Sequence, residues 1–140
     1  MSSSVQKEVS KRILRLWASG NEDDGEGIFS STYVNHQVPD AGGGESVKDL
    51  QSYKDLVSKF HGSFSDSSVT IFMQVEEDGL VASRWEISAI QSGEFAGIPP
   101  SDKRTSWTGV QIERFEDGAV IESWVHWDRE ACFRDLVLSV

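Results

Sequence analysis

An acid, an imidazole and two indoles crowd into Trp124-Val125-His126-Trp127-Asp128 near the end of this chain. A carboxyl in aromatic surroundings is pushed toward its neutral form, which suits it to proton transfer near neutral pH. An imidazole titrates in the same range. If the run from Ala119 is a strand, its side chains alternate between two faces. Val120, Glu122, Trp124, His126 and Asp128 then share one face, and Ile121, Ser123, Val125 and Trp127 the other. Plainer roles compete. Tryptophans at strand spacing are commonly core, a lone histidine such as His36 or His126 is more often just hydrogen-bonded, and Asp128 is well suited to cap a following helix. A cap in solvent would leave the acid/base reading without its residue.

The element that positions these groups is a hairpin. Asp117-Gly118 is a two-residue turn signal, and counting back from it pairs Phe115 with Val120 and Glu113 with Glu122. Gln111 then faces Trp124, Gly109 faces His126, and Trp107 faces Asp128, all on one face. Trp107 and Gln111 thereby join the site, giving an aromatic wall with an acid, an imidazole and an amide, suited to a small molecule. The same count sets two glutamates against each other, an unfavourable pair unless a cation such as Arg84 or solvent intervenes.

The rest of the chain reads as helices followed by strands. Residues 4 to 19 form an amphipathic helix with Val5, Val9, Ile13, Leu16 and Trp17 on one stripe, closed at Gly20. Residues 22 to 26 are an acidic connector. Ile28, Phe29, Tyr33 and Val34 suggest a short helix breaking near Asn35-His36. Residues 37 to 45, with Pro39 and Gly42 to Gly44, are a loop; no Lys-Ser/Thr follows to make it a phosphate cradle. Ser46 to Asp49 has the form of a capping box for a second helix, with Val47, Leu50, Tyr53, Val57 and Phe60 inward and an end at His61-Gly62. Strands follow from Ser68, from Leu80 to Gln91, from Arg104 to Phe115 and from Ala119 to Asp128, then a closing helix from Asp128 to Leu138. This is a single α+β domain over residues 1–140.

Composition narrows the partners. A net charge of −10 over 140 residues repels nucleic acid and anionic membrane. No run is long enough to span a bilayer, and the N-terminus lacks a signal peptide's apolar centre, so a cytoplasmic location is expected. Cys132 is the one cysteine, excluding an intramolecular disulfide and a cysteine-rich zinc site. No metal-ligand spacing and no Gly-x-Ser-x-Gly elbow occurs. Apolar residues fall on both faces of the last strands, including Val110, Ile112, Ile121 and Val125 on the one away from the helices. A homodimer through that outer face is expected.

Three linked segments carry a family resemblance: Gly93-Glu-Phe-Ala-Gly-Ile-Pro-Pro-Ser101, Gly109-Val-Gln-Ile-Glu-Arg-Phe-Glu-Asp-Gly118 and Ile121-Glu-Ser-Trp-Val-His-Trp-Asp128. In order and spacing they resemble the SnoaL-like polyketide cyclases, and with Tyr33 and His36 the likeness spans roughly residues 5 to 136. It implies an NTF2-like cone, with N-terminal helices packed on a curved antiparallel sheet around a pocket, and commonly a dimer. It also implies aldol chemistry without metal or cofactor, with Asp128 at the acid/base position and His36 or His126 as a donor. Trp107, Gln111, Trp124, His126, Trp85 and Phe95 are the candidate ligand contacts, and the ligand would be a small hydrophobic molecule bearing a carbonyl. The chain departs from the family at Ala89-Ile90-Gln91, where Gly-Thr-His is usual, at Ser101-Asp102 and at Asp135-Leu136-Val137. The alternatives are a non-catalytic small-ligand-binding protein of the same fold and a protein-interaction module using the outer face.

Overall fold

The computed structural model describes residues 3–20, 25, 27–37 and 48–137. The glycine run, Ser46, Val47 and most of the acidic connector lie outside the described residues. In chain order the elements are α1 (Ser3–Ser19), β1 (Phe29–Gln37), β2 (Lys48–Asp49), α2 (Leu50–Ser63), β3 (Phe64–Glu77), β4 (Leu80–Gln91), β5 (Arg104–Glu116), β6 (Ala119–Trp127) and α3 (Arg129–Val137). The strands form one sheet in the order β2-β1-β6-β5-β4-β3. From β3 to β6 it is an antiparallel meander. The edge is different, because β1 runs parallel to β6 and makes the sheet mixed.

β1 corrects the expected short helix. Ile28, Phe29 and Tyr33 have helical spacing, but Tyr33 and Asn35 are buried while Thr32, Val34 and His36 are not, which is strand alternation. Pairing with β6 on one side and β2 on the other outweighs local preference here. The second helix starts later than the capping box suggested. Asp49 is its N-cap and accepts the Ser52 backbone N–H at 2.8 Å, and Tyr53, Val57 and Phe60 are buried as expected. β3 begins at Phe64, four residues early, directly off the helix.

Both predicted hairpin turns form. Asp78-Gly79 and Asp117-Gly118 hold positive φ at both central positions (52° and 79°, 50° and 81°), the conformation that matches strand twist. The second hairpin then breaks the simple count. Phe115 pairs with Val120, but Arg114 pairs with Glu122, so Ile121 is an extra residue in a β-bulge. Beyond it Glu113 faces Ser123, Ile112 faces Trp124, Gln111 faces Val125, Val110 faces His126 and Gly109 faces Trp127. A slip of one residue sends each side chain to the opposite face of the partner strand. Its physical reason is charge. The unbulged register would oppose Glu113 and Glu122 on the inner face. The bulge leaves Glu113 inward, in phase with Gln111 and Phe115 on β5, and turns Glu122 outward against Arg114, whose Nε donates to Glu122 Oε1 at 3.4 Å.

α1 crosses the concave side of β3 and β4, α2 packs beside β1, and α3 lies along β5. The α1 stripe is rotated from the one expected. Val5 is 47% exposed, while Gln6, Ser10, Ile13 and Leu14 are buried against the sheet. Leu14, Phe60, Phe64, Trp85, Phe95 and Trp107 belong to one hydrophobic cluster, and Ile13, Tyr33, Tyr53, Val81, Phe115 and Val120 to a second. On the opposite face Met73, Val75 and Val110 remain exposed. No helix among the described residues is long and apolar enough to cross a membrane.

Gly109 makes the sheet floor possible. A Cβ there would lie 2.4 Å from the Trp85 ring and 2.8 Å from the His126 carbonyl oxygen. Gly109→Ala should therefore expel Trp85 from its seat and cost about 1–3 kcal/mol of stability, read as a lowered urea midpoint with quenched or shifted tryptophan emission. An unchanged midpoint would mean that the ring does not occupy that position.

Candidate functional site

The concave face holds a partly open cavity of about 60 Å³ between the sheet, α1 and α2. Trp85 and Ile87 of β4, Trp107 of β5, and Val125 and Trp127 of β6 form its floor. Leu14 and Trp17 of α1 and Phe60 of α2 close it from above, and Phe95 and Ala96 of the β4–β5 connection form one side. The rings are interlocked: Phe64 lies 5.4 Å from Trp107, and Trp107 lies 5.6 Å from Trp127, centroid to centroid. Two polar side chains reach the lining, Lys59 and Gln111. Lys59 is exposed, whereas Gln111 is 2% exposed. Trp85 and Trp127 add indole N–H groups that are buried without an acceptor.

Gln111 leads to a carboxyl. Its Nε2 donates to Glu113 Oε2 at 3.0 Å, and Glu113 is 1% exposed. Burial pushes the Glu113 pKa up to about 7, with Ser10 of α1 and Gln111 opposing in part by favouring the ionised form. The Ser10 hydroxyl and Glu113 Oε1 are both buried and neither closes a hydrogen bond of ordinary geometry. Around this carboxyl the buried row continues through neutral groups. Ser123 donates to Asn35 Oδ1 at 3.0 Å, which leaves the Tyr33 hydroxyl as donor to Ser123. The Trp17 indole donates to the Tyr53 hydroxyl at 3.1 Å. Burial raises both phenols above their ordinary range, and the nearby Glu113 charge adds to it.

The bulge divides the expected site between two faces. Trp85, Phe95, Trp107 and Gln111 meet in the cavity. Trp124, placed there by the simple hairpin count, lies on the outer face, where His36 stacks on it at 5.4 Å and 15° and the Arg114 guanidinium sits 5.5 Å from its ring. His36 Nε2 donates to Glu122 Oε2 at 2.7 Å on that same face. His126 is exposed beside Val110. Asp128 is exposed, and its Oδ1 accepts the Ala131 backbone N–H at 2.9 Å, the N-cap of α3. The expectation that Asp128, His36, Trp124 and His126 share a pocket with Trp107 and Gln111 is thus corrected. Of the two roles open to Asp128, the helix cap is the one displayed.

Glu113 is the residue missed. Its signal was present as an unresolved clash with Glu122, which marks a site where the register must change. Gln91, standing where the family usually has histidine, spends its amide on the β4–β5 connection. Nε2 donates to the Ile98 carbonyl at 2.9 Å, and Oε1 accepts from Ser101 N at 3.2 Å. Gly93 lets that connection meet α2, since a Cβ there would lie 2.2 Å from the Gly62 carbonyl oxygen. These two residues seat Phe95 against the cavity. Among the described residues no group of three or more His, Cys, Asp or Glu is placed to hold a metal ion.

A family model for SnoaL-like polyketide cyclases matches residues 7–136. Among curated protein sequences none matches significantly. Solved structures with the same fold include AclR from Streptomyces galilaeus, 22% identical with a TM-score of 0.83, covering 96% of this chain and 82% of that one. TsrD from Streptomyces laurentii is 20% identical with a TM-score of 0.83, covering 98% of each chain. A SnoaL-like polyketide cyclase from Agrobacterium tumefaciens is 16% identical with a TM-score of 0.74, covering 97% and 99%. At such identities the likeness is one of fold, the NTF2-like arrangement of helices on a curved, unclosed sheet.

A raised carboxyl pKa has a defined sign in stability. The folded state binds the Glu113 proton more tightly than the unfolded chain, whose value is near 4.5. The contribution is full below about pH 4.5 and is lost as pH rises through about 7. It amounts to roughly 3 kcal/mol. Glu113→Gln keeps the shape and removes the titration, so in urea unfolding it should gain on wild type by about that much between pH 4.5 and pH 8. Parallel pH profiles for the two proteins would show that Glu113 titrates normally.

Proposed function

This chain belongs to the SnoaL-like polyketide cyclase family, and we propose that it is a cofactor-independent acid/base enzyme. Its substrate is a hydrophobic, carbonyl-bearing small molecule held in the aromatic cavity, and its reaction an aldol cyclisation or an isomerisation. The observation that carries this reading is the carboxyl of Glu113, poised near neutrality and one hydrogen bond behind the buried cavity amide of Gln111. General bases work best with a pKa near the working pH. Glu113 does not itself line the cavity, so its base role requires the Gln111 side chain to swing aside when substrate binds and bring the carboxyl within reach of the substrate carbon. The proton moved is one on a carbon beside a carbonyl. The resulting enolate is returned its proton at another carbon in an isomerisation. In an aldol closure it instead attacks a second carbonyl, forming a carbon–carbon bond, and the new alkoxide takes up the proton. Indole N–H groups without acceptors, at Trp85 and Trp127, are suited to a developing enolate oxygen. The apolar lining keeps water from that charge.

Non-catalytic ligand binding is the second reading, favoured by the cap role of Asp128, which occupies the family's acid position. Deuterium exchange at the central carbon of an aromatic 1,3-diketone, followed by proton NMR, separates the two. The enzyme reading expects exchange well above the buffer rate, reduced about 10²-fold in Glu113→Gln. Binding without acceleration supports the second reading.

The exposed Met73, Val75 and Val110 of the outer face support a homodimer built through it. Light scattering at micromolar concentration should give twice the chain mass for wild type. Met73→Glu with Val75→Glu should give the single-chain mass. A monomeric wild type contradicts the dimer.

A further inference from the structure

The cavity carries a polarity that its aromatic lining conceals. A carboxylate has only acceptors, so when Glu113 is ionised the amide nitrogen of Gln111 must turn toward it, as the 3.0 Å contact from Nε2 to Oε2 records. The amide is planar, with oxygen and nitrogen about 120° apart on its terminal carbon. Holding Nε2 at Glu113 therefore leaves Oε1 as the amide atom that can meet the space Gln111 lines. Gln111 is buried, and that oxygen is left as an acceptor for a donor inside the cavity.

We propose that Glu113 is a positioning residue that aims the Gln111 carbonyl oxygen into the cavity, so that the site selects ligands carrying an O–H donor, a phenol or an enol, over ligands that lack one. This rests on the reading that the cavity is the ligand site and goes beyond it by naming the group recognised there. A hydroxyl suits the other polar wall groups as well, because its oxygen can accept from the indole N–H of Trp85 or Trp127 while its hydrogen is donated to Gln111. For a 1,3-dicarbonyl compound this preference favours the enol tautomer, so the site would stabilise the species formed when a carbon-bound proton is removed.

The preference depends on the Glu113 proton. Ser10 of α1 and Gln111 of β5 face its carboxyl directly, and the phenols of Tyr33 on β1 and Tyr53 on α2 sense its charge. Ser123 on β6 and Val81 on β4 are its strand partners. Once protonated, the carboxyl can itself donate to Gln111 Oε1, and the amide is no longer held in one orientation. With a pKa of about 7, that change falls between pH 6 and pH 8 by roughly one unit either side.

The test compares 4-fluorophenol with its methyl ether, 4-fluoroanisole, by ¹⁹F NMR titration of the intact chain between pH 5 and pH 8. One hydrogen bond predicts that the phenol binds about fivefold tighter than the ether at pH 8, with the ratio shrinking toward pH 5. In Glu113→Gln the ratio should be nearly independent of pH and smaller at pH 8. Gln111→Leu, which keeps the cavity lined, should bring the ratio near one even if the first variant folds poorly. Equal binding of the two probes by wild type, or a ratio unaffected by pH, would overturn the proposal while leaving the cavity as a binding site. Failure of both probes to bind would overturn the cavity reading and this inference together.

Discussion

The arrangement of this molecule depends on one extra residue. Ile121 bulges from β6 between Val120 and Glu122, and everything beyond it on the hairpin is shifted by one. Without the bulge two glutamates would oppose each other across the strands. With it, Glu122 turns outward to Arg114 and His36, while Glu113 keeps the inward place that β5 alternation gives it, under α1. The outer pair is partly exposed and screened, so its own contribution is small. Its larger effect is on register, since avoiding a like-charge pair fixes which side chains form the cavity and which face outward.

The inward carboxyl then shapes its surroundings. A buried acid with no cation among the partners described around it is held chiefly neutral or half-neutral, at the expense of stability at higher pH. On the buried polar face of α1, where valines were expected, Ser10 covers this acid. Gln111 is its link to the aromatic space. The row Asn35, Ser123 and Tyr33 links β1 to β6 through buried hydrogen bonds beside their parallel pairing. Stability and chemistry are coupled at Glu113, because the charge that would make it a base is the charge that the fold tolerates least.

Much of this was legible in the chain. Asp78-Gly79 and Asp117-Gly118 marked the hairpins because few other pairs accept two left-handed residues, and β4 ran between the bounds its alternation suggested. Trp107 and Gln111 share a face, as the alternation of β5 implies, and Trp85 and Phe95 line the same cavity. β1 was not, since Ile28, Phe29 and Tyr33 have helical spacing and only the neighbouring strands decide the matter. The placement of Trp124, His126 and Asp128 failed for one reason: a hairpin count assumes no bulge, and the Glu113–Glu122 conflict signalled one without saying which strand would carry the extra residue. The family motif correctly identified the fold. It could not by itself place Asp128 in the cavity, because a motif fixes a position along the chain and the register decides where that position points.

The register is therefore the central claim, and inter-strand nuclear Overhauser contacts in an isotopically labelled sample test it most directly. The account predicts backbone contacts pairing Gln111 with Val125 and Glu113 with Ser123. Contacts pairing Gln111 with Trp124 and Glu113 with Glu122 would contradict it, and would return Trp124, His126 and Asp128 to the face that holds the cavity.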